Sequence, residues 1–181
     1  MTRAAPDDQR LRHHLPALPV AVAAEGGAAP FDLLTFLEGR VQAWGVFEDR
    51  TGRVRRRFAV ELEGRWVAGR LVVEEAFAFD DGATETRSWQ LERDGATAFH
   101  GTGTDVVGPV EGLNGPGSAR MRYRFRLRLR GHPLTVALDD RYHRLDAARA
   151  LNRATLSKFG VRLGELTIVF ERRPDLARAA A

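Results

Sequence analysis

Four charged residues, Arg56, Glu75, Arg87 and Asp140, fall on the apolar side of runs in which polar and apolar residues otherwise alternate. Charge taken out of water must be paired or bound to something, because an ion stripped of its hydration is costly. Two arginines facing one glutamate make either a satisfied ion-pair cluster or the polar end of a ligand cavity with surplus positive charge. That surplus suits a carboxylate or phosphate headgroup, which a guanidinium grips through two parallel hydrogen bonds. Trp89, Asp105 and Tyr123 share the inward parity, Asp105 in line with Phe99, Gly101 and Gly103. Glycine within a strand either bends it or leaves room for something to approach. Other chemistries are poorly provided for. There is no cysteine, hence no thiol nucleophile and no disulfide. His13, His14, His100, His132 and His143 show no metal-ligand spacing, and no Ser-His-Asp arrangement or phosphate loop is present. No catalytic residue, metal site or cofactor is assigned.

These residues must be positioned by strands. "RMRYRFRLRLR", Arg120 to Arg130, alternates arginine with apolar residues throughout. Period-two alternation marks a strand with one dry and one wet face. Met121, Tyr123, Phe125, Leu127 and Leu129 are expected inside and the arginines outside, since a buried guanidinium ladder would be prohibitive. Further strand candidates are Val41–Glu48, Arg53–Glu63, Trp66–Phe79, Glu85–Arg93, Thr97–Val107, Leu134–Leu145, Arg149–Lys158 and Val161–Arg172, separated by turn chemistry such as "DDGA", "NGPG" and "GHP". "LDAARALNRATLSKF" favours helix by propensity, but its second half is read as a strand to partner "VRLGELTIVFERR". Serial strands with short connections describe an all-β, up-and-down antiparallel sheet, which closes into a barrel at eight or more strands and so loses its exposed edges. Ahead of it, "PFDLLTFLEGR" predicts one short helix of about two turns.

Two-residue turns fix register. Gly131-His132 as a turn sets Tyr123 opposite Asp140 inside and Arg124 opposite Asp139 outside. Gly64-Arg65 as a turn sets Arg56 diagonal to Glu75, and a five-residue loop after Phe79 sets Glu75 opposite Trp89 and diagonal to Arg87. The expected interior cluster is therefore Arg56–Glu75–Arg87.

The length of 181 residues fits one domain. Residues 1–30 are read as a flexible tail, 31–173 as a single barrel domain and 174–181 as a C-terminal tail. The net charge of +4 invites a nucleic-acid reading, but acidic residues are interspersed and no aromatic-basic RNA motif occurs. Nearly all the basic residues are arginine, Lys158 being the single lysine, which fits a GC-rich genome. Nucleic acid is not expected as a partner. No run approaches the roughly 20 apolar residues of a membrane span, and "LPALPVAVAAEGGAAP" reads as an alanine-rich tail before it reads as a signal peptide. Cytoplasmic and periplasmic locations both stay open, as does oligomeric state.

The blocks "DLLTFLEGRVQAWGVFEDRTGRVRRRF", "EEAFAFDDG", "TRSWQL", "GTDVVG", "LDDRYHRLD" and "LNRATLSKFGVRLGELTIVF" resemble, in that order, an uncharacterised bacterial family, the domain-of-unknown-function family 3833. The resemblance runs from about Phe31 to Arg172 and implies a lipocalin-like barrel of about eight to ten strands. Many members look like lipoproteins, whereas this chain has no cysteine for a lipid anchor, and Arg141 stands where the family tends to an aromatic. The resemblance carries polar positions onto Arg56, Glu75, Arg87, Trp89, Asp105, Asp140, Asn152, Arg153 and Lys158. With Tyr123, and without Lys158, these are the candidate ligand-binding residues. The leading expectation is a binding protein for a small hydrophobic or amphipathic ligand, of fatty-acyl or isoprenoid type with an acidic headgroup. An enzyme using Asp140 or Glu75 as base, and a structural barrel with a filled core, are the alternatives.

Overall fold

The computed structural model describes residues 31–129 and 132–173. The two expected tails lie outside the described residues. A short helix α1 (Leu33–Leu37) precedes ten strands: β1 (Gly39–Asp49), β2 (Val54–Val67), β3 (Arg70–Phe79), β4 (Thr84–Asp94), β5 (Ala98–Gly103), β6 (Val110–Gly115), β7 (Ser118–Leu129), β8 (His132–Arg144), β9 (Arg149–Lys158) and β10 (Val161–Arg172). Each strand pairs antiparallel with its neighbours in sequence, and β10 pairs with β1, so the sheet is a closed up-and-down barrel. This is the closed up-and-down barrel read from the alternation, and the lipocalin-like fold that the family resemblance implies. The ambiguous segment forms a strand from Arg149 onward, because its inward Ala150, Asn152, Ala154 and Leu156 are buried against neighbouring strands on both sides. Tertiary packing overrides helix propensity there.

β7 shows why the strands face as they do. Met121 and Phe125 are buried, Tyr123 and Leu127 half-buried, and Arg122, Arg124, Arg126 and Arg128 exposed. Outside, Asp139 of β8 accepts from Arg120 Nε at 2.6 Å, with Arg122 and Arg141 each 3.8 Å away. Parity was legible, but the register is two residues off the expected one. Arg122, not Arg124, stands opposite Asp139, and Met121, not Tyr123, opposite Asp140. Leu129 pairs with His132, and a slip of two leaves every side chain on its own face, so alternation alone does not choose between the registers.

Two other hairpins differ for visible reasons. β2 continues through Gly64 and turns at Ala68-Gly69, whose φ of 48° and 83° match the mirror-image turn that two-residue hairpins favour. β3 turns into β4 through a three-residue loop closed by Gly82 at φ 80°. Glu75 therefore faces Arg87 directly, and Val73 faces Trp89. One strand escaped the sequence reading: β6 is short and carries Gly112 and Gly115. Gly112 is needed because the ring of Phe99 fills the place its side chain would take.

The helix closes one end of the barrel. Asp32 caps it, accepting from Leu34 N at 3.0 Å and Thr35 N at 3.2 Å, and is also bridged by Arg93 of β4. Asn114 of β6 accepts from Leu33 N at 3.1 Å, and Phe31 N donates to Gly115 O at 2.9 Å. Leu33, Leu34, Phe36 and Leu37 are buried beneath. On β2, Gly64 lies against the Leu37 carbonyl, where any Cβ would collide with backbone. Gly64→Ala is therefore expected to displace the plug and cost about 2 kcal/mol or more of unfolding free energy in urea titrations. Unchanged stability would contradict this packing.

Candidate functional site

The strands enclose a cavity of about 550 Å³, with Leu37 of the plug among its lining residues. Its apolar wall includes Phe47, Phe58, Phe77, Phe125, Leu156 and Ile168. The barrel is thus hollow, not filled, and its volume lies in the range of small-molecule sites. Polar groups gather at two levels, one at the end away from α1 and one deeper.

At the mouth, Arg56 of β2 lies 3.4 Å over the ring of Phe79, within 3.2 Å of Asp81 and 3.6 Å of Glu85. Arg87 of β4 donates to Glu85 at 2.7 Å and stands over Phe77 and Phe125, 4.4 and 4.9 Å from the ring centroids. Aromatic faces hold both guanidinium planes, the geometry in which arginine keeps its charge with little hydration. Arg126 and Arg128 also border the opening. Two arginines do share one glutamate, as expected, but the glutamate is Glu85. Neither Arg56 nor Arg87 reaches Glu75 in an ion pair. The β2–β3 turn lies four residues later than expected and the β3–β4 loop is shorter, which brings Glu85 between the arginines.

Below them Glu75 faces the cavity, on the strand opposite Arg87. Burial pushes its carboxyl above the usual range, and the Trp89 indole and the Arg87 charge offset this only in part. Trp89 packs edge-on against Tyr123, centroids 5.2 Å apart. The Tyr123 hydroxyl donates to Asp140 Oδ2 at 3.3 Å. Asp140 is 5% exposed, and burial, reinforced by Asp139 and Glu75, pushes its carboxyl up to about 8, against the opposing hydrogen bond from Tyr123. Burial and the Asp140 carboxyl push the Tyr123 and Tyr142 phenols well above their usual range. At neutral pH Asp140 therefore keeps its proton and can donate to what enters the cavity.

Of the candidate residues, Arg56, Glu75, Arg87, Trp89, Tyr123, Asp140 and Asn152 line this one cavity. Asp105 does so from a different place. The fifth strand ends at Gly103, and Asp105 is an exposed residue of the following loop, at φ 59° on the rim. Arg153 is outside the barrel, paired with Glu165 of β10, because Asn152 holds the inward parity beside it. Lys158 sits near the mouth, its ammonium 3.3 Å from the Thr135 carbonyl. The sequence reading missed Phe79, Asp81, Glu85 and Tyr142. Glu85 and Tyr142 were within reach of it, since each stands two residues from a residue already placed inside.

The family model described as "Protein of unknown function (DUF3833)" matches residues 21–172. Among curated proteins none matches the chain by sequence. Among solved structures, the chain is similar to an S-type phycobiliprotein lyase from Guillardia theta, with 9% identity and a TM-score of 0.59, over 79% of this chain and 91% of that one. It is also similar to a protein of unknown function from the DUF3598 family of Nostoc punctiforme, with 16% identity and a TM-score of 0.56, over 80% of this chain and 51% of the other. At such identities the likeness extends to the barrel fold.

The Asp140 environment has a consequence for stability. Between about pH 4 and 8 the folded protein retains a proton that the unfolded chain has released, so stability falls as pH rises, by at most about 1.4 kcal/mol per unit. Glu75 acts in the same sense. The loss is complete above the folded value. Asp140→Asn is expected to flatten this dependence and to be more stable than wild type near pH 8, as read from urea midpoints across the range. Parallel pH profiles for the two proteins would show Asp140 to be ionised in the fold.

Proposed function

This chain belongs to the DUF3833 family, and we propose that it is a binding protein for one small, mainly apolar molecule carrying an acidic group, of fatty-acyl or isoprenoid type. The acidic group sits among the mouth arginines and the apolar body lies along the aromatic and aliphatic wall. The observation that carries this reading is the cavity of about 550 Å³ with its arginines gathered at the opening. Arg56 and Arg87 pair there with Asp81 and Glu85, and the exposed Arg126, Arg128 and Asp105 border the same opening, so four arginines against three carboxylates leave net positive charge beside an apolar chamber. A carboxylate or phosphate on the ligand competes with Glu85 for Arg87 through charge-assisted hydrogen bonds. Burial of the chain supplies affinity, and the arginines supply orientation.

Calorimetric titration of the purified protein with oleate and with oleyl alcohol tests this. Wild type is expected to bind both, the acid more tightly. Arg87→Leu should weaken oleate by tenfold or more while leaving the alcohol nearly unchanged, with circular dichroism confirming an intact barrel. A folded Arg87→Leu protein that binds oleate as wild type does would remove the headgroup from this account.

A further inference from the structure

Asn152 stands on β9 opposite Tyr142 of β8, 1% exposed, and borders the cavity. Among the described residues neither its Nδ2 nor its Oδ1 has a hydrogen-bonding partner, and the same holds for Oδ1 of Asp140. Asp140 pairs with Ala154, one step along the same two strands, so its carboxyl and the Asn152 amide are diagonal neighbours on one face. Three buried polar atoms without a protein partner thus lie on one face of the wall, beside the Tyr142 hydroxyl, which interacts with Asp140, and among Met121 and Phe170. Buried polar groups are nearly always satisfied, and a cluster of exceptions asks for a partner from the cavity.

We propose that this wall is a second recognition point for the ligand, taking an uncharged group with a donor and an acceptor side by side, such as a primary amide or a lactam. The inference rests on the ligand reading above and adds the chemistry of the buried end. An amide lies against Asn152 with two parallel hydrogen bonds, its N–H to Oδ1 and its C=O from Nδ2. Asp140 Oδ1 meets the remaining lone pair of the ligand carbonyl as an O–H donor, since this carboxyl holds its proton near neutrality. A second anionic group is disfavoured at this depth. Glu75 already brings a carboxyl to the same chamber, and Arg87 is engaged by Glu85 nearer the mouth. The ligand is then acidic at the opening, apolar along its length and amide-like at the inner end.

The test compares laurate with the monoamide of dodecanedioic acid, which adds an amide at the far end of the same chain, by calorimetry on the full chain. Wild type is expected to bind the monoamide at least about tenfold more tightly, because a site built for hydrogen bonding rejects an analogue that leaves its polar groups unpaired. Asn152→Leu should abolish this preference while holding laurate at least as well as wild type. Should that variant fail to fold, Asn152→Ala replaces it, and the wild-type comparison stands independently. Laurate bound with no preference for the monoamide overturns the inference alone and leaves the Asn152 amide hydrated. Binding of neither probe overturns the ligand reading, and this inference with it.

Discussion

Pairing of β1 with β10, from Val41 opposite Arg172 to Asp49 opposite Gly164, is the constraint on which the rest of the molecule depends. Once the last strand meets the first, the sheet has no edge to protect, and every inward side chain of ten strands shares one enclosed space. An eight-stranded barrel is just wide enough for its own side chains or one small ligand. Ten strands leave more room, and the inward residues do not fill it. The short helix then decides which end is open. Held by Asp32–Arg93, by Asn114 and by the absence of a side chain at Gly64, it seals one end with four buried apolar residues. The arginines bordering the cavity stand at the other.

Within that space the polar groups are graded by depth. Near the opening, arginines lie on aromatic rings and share carboxylates, with part of each guanidinium still in reach of water. There charge is cheap to keep and available for exchange with an incoming anion. Deeper in, burial outweighs the Arg87 charge at Glu75 and the Tyr123 hydrogen bond at Asp140, so both carboxyls bind protons more strongly than usual. At the inner end Asp140 therefore presents a neutral hydrogen-bonding group near neutrality. One wall thus presents two different chemistries because the dielectric environment changes along it.

The fold was legible because period-two alternation survives any even slip in register. The six-arginine run and the last strand follow from parity, the ninth strand from the last one's need of a partner, and closure from the cost of exposed edges. What parity does not carry is which residues stand side by side. Gly64 looked like a turn residue, yet its missing side chain serves the helix plug, and the turn falls at Ala68-Gly69. That displacement, with the tight loop at Gly82, exchanged Glu75 for Glu85 between the mouth arginines. Arg153 shows the opposite lesson. Strict alternation beside Asn152 places it outside, where it pairs with Glu165. Asp105 was lost to a strand that ends early, and β6 to glycines that resemble loop.

The central claim is that the hollow barrel holds a small acidic amphiphile. Native mass spectrometry of the protein, purified without detergent and then incubated with a mixture of fatty acids and their matching alcohols, tests it most directly. The account predicts a single adduct per chain, drawn preferentially from the acids and released on unfolding. A spectrum showing only the bare chain mass after incubation, at concentrations where serum albumin is saturated, would contradict it.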